Sequence, residues 1–434
     1  MNAAEIPKTL EKLFPATEIS KLAEQTGFIK RERKIDANIL LWTLVLGFGV
    51  GLQRTLAQLK RIYEDGKRTT ICYSSWFERF DTKLVKFLKA CVELALSQMA
   101  DETNRTLGPK LDQFKDVVIQ DSTVIRLHKA LATRWPATRT KTVAAGVKVA
   151  TLISVVANGP RTVAITGERT SEVKTVRIGP WIKDRIMLFD LGFFKFQLFA
   201  RIIANGGFFV SRLKANANPV FVSSNKVHRG RAIDLVGKRW KEVEGSLKRE
   251  VLDAEVTVPF KRRKYAGSIT KDELPLRLVA IYNKDTRQYH VYVTNIPADV
   301  LSAEDLATLY RFRWEIEMLF KELKSKYALD VINTRKACIV EGLIWTAILT
   351  LIVSRNLFNL LQISVPQEQR SRYTPLRWAN SFSETGFSLL CAYMKYLGLR
   401  QYSDYSFDDL AWLWEHQTLD PHVNRHRLSD VLNA

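Results

Sequence analysis

The chain has 434 residues and a mass of 49.8 kDa, with 46% hydrophobic and 26% charged side chains. That length suits roughly two to four structural units and a core that needs no disulfide or metal staple, and the composition excludes disordered, collagenous and mucin-like chains. Sixty-six Lys and Arg against 45 Asp and Glu leave a net charge of +21 and a pI near 9.8, which favours a polyanionic partner such as nucleic acid.

Glu5, Lys8, Glu11 and Lys12 interrupt the first segment, so no signal peptide is expected. The apolar runs Ile39–Leu52 and Leu343–Val353 fall short of the roughly 20 residues that a membrane helix needs. Four widely separated cysteines (Cys72, Cys91, Cys338, Cys391) suit core thiols in a reducing cytosol. A cytoplasmic, nucleoid-associated protein with no membrane partner is expected.

Residues 1–105 form the first expected unit, a helical N-terminal DNA-binding domain, although solvated helix faces would carry the same basic residues. Asp81 can cap a helix running to Met99, in which Leu84, Phe87, Leu88, Cys91, Leu94 and Ala95 recur at helical spacing. Basic residues punctuate the region at Lys30, Arg31, Arg33 and Lys34, then at Lys60, Arg61, Lys67 and Arg68. Gly47, Gly49 and Gly51 lack a dinucleotide-binding spacing and point to helix packing.

From Asp116 the texture changes to strands. Val117–Ile125 is β-branched and apolar around Asp121, and Gly146–Ala157 and Arg161–Thr166 flank the turn Asn158-Gly159-Pro160. Arg185–Asp190 is a short apolar strand ending in an acid. Next come a helix over Phe194–Ala204 and a strand over Phe208–Leu213. This order predicts a mixed α/β sheet over 106–214. Between the first strand and the hairpin, the loop Lys129–Ala145 carries Lys129, Arg134, Arg139 and Lys141 and no acid, which suits a solvated loop or one that tracks DNA.

Residues 215–300 look like a separate β-rich piece. Twelve basic residues against six acidic ones lie in 226–264, ending in Lys261-Arg262-Arg263-Lys264. Leu276–Tyr282 and Gln288–Thr294 form a strand pair joined at Asn283-Lys284-Asp285. Residues 301–360 follow with a long helix from Ser302 to about Tyr327, and 361–434 form a helical, aromatic-rich tail. His416, His422 and His426 in that tail lack partners for a zinc site, and no Tyr follows to serve a tyrosine recombinase.

Asp121 and Asp190 sit where an ionised carboxylate must be paired, protonated or bound to a cation. On the helix from Ser302, Tyr310, Arg313, Glu317 and Lys324 fall within an arc of about 60°, beside an apolar arc of Leu309, Phe312, Ile316, Leu319, Phe320 and Leu323. Glu315 and Glu322 point to the far side and are expected to be solvated. Two strand carboxylates and one helix carboxylate suit divalent metal, and Arg313 and Lys324 suit backbone phosphates.

These residues resemble a known family. The spacing Tyr310, Arg313, Glu317, Lys324 is similar to the Tyr-Arg-Glu-Lys signature of bacterial insertion-sequence DDE transposases. Asp121-Ser122-Thr123 and Asp190-Leu191-Gly192-Phe193-Phe194 resemble its two aspartate segments. The resemblance covers roughly residues 110–360. It implies an RNase H-like core with a β-rich insertion at 215–300. Asp121, Asp190 and Glu317 would hold two Mg²⁺ or Mn²⁺ ions. Tyr310, Arg313 and Lys324 would grip DNA at the transposon end. The implied activity is strand cleavage and strand transfer on double-stranded terminal repeats and target DNA, by a homodimer in the synaptic complex for which the helical tail 361–434 would be an interface. Tyr289 and His290 stand in the last insertion strand, where some relatives place a Trp that stacks a flipped base, and Trp240 lies much earlier. Two rivals share the core: a structure-specific nuclease that hydrolyses without joining, and a catalytically inactive DNA-binding repressor.

Overall fold

The computed structural model describes all residues except 31–34, 51–54, 101, 139–143, 226–233, 263–269, 328, 331, 333 and 423–434. Arg31, Arg33, Lys34, Gly51, Arg139, Lys141, Arg263, Lys264 and His426 therefore lie outside the described residues.

Six helices open the chain: α1 (Glu5–Leu13), α2 (Ala16–Gln25), α3 (Ala37–Thr43), α4 (Leu56–Lys67), α5 (Tyr73–Glu78) and α6 (Thr82–Met99). Asp81 starts α6 as expected, its carboxylate accepting from the backbone N–H groups of Lys83 and Leu84. The sheet follows with β1 (Asp116–Leu127), β2 (Ala145–Ser154), β3 (Gly159–Gly167) and β4 (Arg185–Phe189), then α7 (Phe196–Ala204) and β5 (Phe208–Arg212). Asn158 turns the β2–β3 hairpin at φ 53°, a conformation that Asn tolerates better than most residues.

The strands of 215–300 are β6 (Val220–Ser224), β7 (Val251–Lys261), β8 (Lys271–Asn283) and β9 (Gln288–Thr294), with the short α8 (Trp240–Val243) between β6 and β7. They are hydrogen-bonded into the central sheet, whose order is β3-β2-β1-β4-β5-β9-β8-β7-β6. β1, β4 and β5 run parallel, and every other neighbouring pair is antiparallel. Strand β7 alternates, with Leu252, Ala254, Val256, Val258 and Phe260 buried on one face and Asp253, Glu255, Thr257 and Pro259 on the other. Asp253 is buried there because Arg277 of β8 grips both its oxygens, at 2.8 and 2.6 Å. The same guanidinium donates to the carbonyls of Ile296, Pro297 and Leu301, which ties the sheet to the helix that comes next.

That helix is divided. Residues Ala303–Arg311 form α9 and Trp314–Ser325 form α10. At Phe312 and Arg313 the bonding tightens to i→i+3, with Phe312 N donating to Leu309 O, Arg313 N to Tyr310 O and Glu315 N to Phe312 O. The expected apolar arc is buried throughout. Glu322 is not solvated, however. It is fully buried because helices α11 (Ala337–Ser364) and α12 (Pro375–Tyr396) cover the side of α10 that a single-helix projection leaves open. Glu315 is half-buried and paired with Arg105 at 3.1 Å. A last helix, α13 (Phe407–Thr418), packs on α12.

The apolar run at 343–353 is the centre of α11, whose 28 residues are long and apolar enough to cross a membrane. Its most apolar window is 83% buried inside the fold, against α1, α6, α12 and the π-helical turn Leu44–Phe48. Gly49 allows that approach, because a Cβ there would meet Thr350 Oγ1 at 1.8 Å. Of the cysteines, Cys91 and Cys391 are buried and Cys72 is exposed.

Glu322 is held by Arg355 of α11 and accepts from the Tyr327 hydroxyl at 3.0 Å. Ser354 lies 2.5 Å from Tyr327 Oη and accepts from the Trp378 indole of α12 at 2.8 Å. Removing Arg355 strands a buried charge, so Arg355→Ala is expected to lose about 3–5 kcal/mol in urea unfolding. A loss below about 1 kcal/mol, typical of an exposed pair, would show that the pair does not hold α10.

Candidate active site

Strand register alone brings two of the predicted carboxylates together. β1 and β4 run parallel, with Gln120 paired to Phe189, so Asp121 of β1 and Asp190, the residue that follows β4, come next in register. Side chains alternate along a strand. Val117 and Ile119 of β1 and Ile186 and Leu188 of β4 face the core that contains α9 and α10, while Val118, Met187 and Phe189 face the core around α7. Asp121 and Asp190 continue the first set, on the face covered by the helix that bears Glu317.

Tyr310 holds α9 on that face. It is 7% exposed, and its hydroxyl donates to the Phe189 carbonyl at 2.9 Å, one residue before Asp190. Burial pushes its phenol up to about 12, so it remains a donor. Arg313, at the break between α9 and α10, bridges the carboxylates. One guanidinium nitrogen lies 2.5 Å from Glu317 Oε1 and another 3.9 Å from Asp121 Oδ2. Lys324 is half-buried and makes no ion pair among the described residues. Burial lowers its pKa, Asp330 opposes that shift and Arg126 adds to it.

Asp121 is pushed up to about 6. Burial is the main cause, and the negative charges of Asp190 and Glu172 add to it; the Ser122 N–H and Arg313 pull the other way. Glu172 is a member of the cluster that the sequence pattern did not reveal. It sits in a single 3₁₀ turn (Glu172–Thr175) after β3, and no periodicity marks such a turn. The Ser122 hydroxyl donates to Glu172 Oε1 at 2.9 Å, and Lys148 Nζ lies 3.7 Å from the same oxygen.

The donor set is chemically suited to a hard divalent cation: several carboxylate oxygens, one of them destabilised as an anion, and no soft ligand. Among the described residues no three His, Cys, Asp or Glu side chains converge on one point, and Arg313 supplies the positive charge between Asp121 and Glu317. Asp121, Asp190 and Glu317 are the residues that would hold an ion.

Other predicted features are placed less simply. Tyr289 donates its hydroxyl to the Arg249 carbonyl and packs on Tyr282, and Trp240 is buried. In the basic loop, Arg134 lies over the buried Trp135 and pairs with Glu341 at 2.8 Å. A cavity of about 480 Å³ on the other flank of α10 is lined by Trp314, Glu315, Met318 and Tyr373 among others, and by none of the six predicted site residues.

A sequence-family model described as the transposase DDE domain matches residues 112–353. The chain is 23% identical over 400 residues to the transposase for insertion sequence element IS231B of Bacillus thuringiensis subsp. berliner, covering 81% of this chain and 79% of that protein. It is 23% identical over 369 residues to the transposase for insertion sequence element IS1151 of Clostridium perfringens, covering 76% of each. A piggyBac transposase synaptic complex with hairpin DNA superposes on 96% of this chain and 86% of its own, at a TM-score of 0.45 and 11% identity, too remote a likeness to argue from.

The displaced pKa of Asp121 makes a stability statement. The folded chain keeps this proton to about pH 6, whereas the ordinary value for the group is 3.8. The stability it gives is therefore complete below about pH 4 and is lost as pH rises through 6. In metal-free buffer, Asp121→Asn is expected to gain up to about 3 kcal/mol over wild type at pH 7, with little difference at pH 4. Thermal melts across that range check it, and equal melting at both pH values would contradict it.

Proposed function

The chain belongs to the transposase DDE-domain family, and on that footing we propose that Asp121, Asp190 and Glu317 are its catalytic carboxylates. It is an insertion-sequence transposase, an enzyme that cleaves DNA and transfers strands. The observation that carries the assignment is the register of β1 on β4, which sets Asp121 beside Asp190 on the face that α10 covers. An RNase H-like reading of the core is supported by the order β3-β2-β1-β4-β5, antiparallel over the first three strands and parallel over the last three. The two aspartates also follow the last parallel-paired residues, Gln120 and Phe189, and so lie at the carboxyl end of the parallel ladder, the end at which ligands bind in open α/β sheets.

Divalent metal, Mg²⁺ or Mn²⁺ as two ions, would activate the attacking oxygen and stabilise the leaving one. The chain's own residues do the rest. Tyr310 fixes α9 to the end of β4, so the height of Glu317 over the aspartates is set before DNA arrives. Arg313 exchanges its carboxylate partners for backbone phosphate, to which its planar fork is equally suited. Lys324, half-buried without an ion pair among the described residues, gains a counter-charge when a phosphate reaches it. The net charge of +21 supplies the longer-range attraction to DNA.

We assign DNA contacts to the helical segment 1–105, the β-rich insertion to 215–300, and pairing of two copies in the synaptic complex to the helices after 360. The bacterial cytoplasm, at the nucleoid, is the proposed place of action.

Purified protein incubated with Mg²⁺ and a plasmid carrying the gene's own flanks tests this reading. Wild type is expected to nick, release and join the ends. Glu317→Ala is expected to bind the DNA within a few-fold of wild type and to perform none of these steps. Binding without strand chemistry by wild type, in Mg²⁺ and in Mn²⁺, would overturn it in favour of a repressor, and cutting without joining would favour a nuclease. Separately, Lys324→Ala is expected to flatten the salt dependence of end binding by about one unit in log K against log salt, and an unchanged slope would remove Lys324 from the phosphate contacts.

A further inference from the structure

Glu172 lies outside the three carboxylates that the family signature carries, yet it is built into the same corner of the molecule. Its Oε1 accepts from Ser122, the residue after Asp121, and faces the buried ammonium of Lys148 on β2 at 3.7 Å. Its Oε2 lies against the backbone two residues after Asp190, where a Cβ on Gly192 would stand 1.7 Å from that oxygen. Only a residue without a side chain allows a carboxylate there. One side chain thus reaches from the aspartate on β1 to the turn that follows the aspartate on β4.

A carboxylate kept there has an electrostatic cost, since its charge opposes that of Asp121 in a partly dry site. Lys148 is 3.7 Å away and also donates to the Thr170 carbonyl at 2.9 Å, so its compensation is shared. A clamp needed only for packing would be served by a neutral amide, which can accept from Ser122 as well. The retained negative charge has a use if a cation is to be drawn between Asp121 and Asp190, because a nearby negative charge attracts the cation directly, and changes just outside the ligands commonly shift metal affinity by about 10–100-fold.

Resting on the proposed metal site, we propose that Glu172 is a positioning residue of that site, which holds the Asp121 and Asp190 segments together and whose negative charge raises the affinity of the pair for a divalent cation. The test is Mn²⁺ binding to the full-length, DNA-free protein, read from the electron paramagnetic resonance signal of free Mn²⁺, with thermal melts alongside. Glu172→Gln is expected to weaken Mn²⁺ binding about 10–100-fold while melting no lower than wild type. Gly192→Ala, which keeps the charge but denies it this position, is expected to weaken binding in the same direction, and Glu172→Asp to recover part of it. Wild-type affinity in Glu172→Gln, with binding lost in Asp121→Asn, would overturn the role of Glu172 and leave the metal site standing. Wild-type affinity in Asp121→Asn would instead overturn the metal site itself. A wild-type protein that shows no saturable Mn²⁺ binding would overturn the role of Glu172, since the cation must then be attracted by something else.

Discussion

A charge with no access to water can stay in a protein only beside an opposite charge, and Glu322 has such a partner in Arg355. That pair, with Tyr327, Ser354 and Trp378 completing its hydrogen bonds, locks α10 to α11 and α12. Rotation of α10 about its axis would pull Glu322 from its counter-charge, so the pair selects one face for the sheet. That face presents Glu317. A second buried pair, Asp253 with Arg277, secures the approach to α9 from the sheet side. Between these two anchors the chain tightens at Phe312 and Arg313, and the proposed site lies at that joint.

At the site the balance is reversed. The buried pairs give each charge its opposite, whereas Asp121, Asp190 and Glu172 place like charges together, and Arg313 offsets them from 3.9 Å at Asp121 and 2.5 Å at Glu317. Such an arrangement stores an attraction for cations at a cost in stability. The guanidinium between the carboxylates and the half-buried Lys324 are both suited to phosphate. In the proposed assignment, charge on the incoming DNA backbone and charge in the site would be linked through the same few side chains.

Much of this was legible in the sequence, for identifiable reasons. The strand set β1 to β5, the Asn158 turn and the Asp81 cap follow from local rules that tertiary packing did not override. The two aspartates stood out because carboxylates are rare in apolar strands, and Glu317 because its apolar neighbours marked the buried arc. The reading of Glu322 failed because a helical projection records which side of a helix is apolar, not whether a later helix such as α11 brings an arginine to the polar side. The break at Phe312–Arg313 carries no Gly or Pro to announce it. Glu172 was out of reach because its position depends on three separate segments: the end of β1, Lys148 on β2, and the gap left by Gly192.

In the proposed site, α10 brings Glu317 to the aspartates at the ends of the β1–β4 ladder to form one cation site. Iron(II) placed in such a site, with ascorbate and peroxide, cuts the backbone around its ligands, and mass spectrometry locates the cuts. Cleavage is expected in three separate segments, around residues 121, 190 and 317, all suppressed by excess Mg²⁺. Cleavage near 121 and 190 but not near 317, or no Mg²⁺-sensitive cleavage in any of the three, would contradict it.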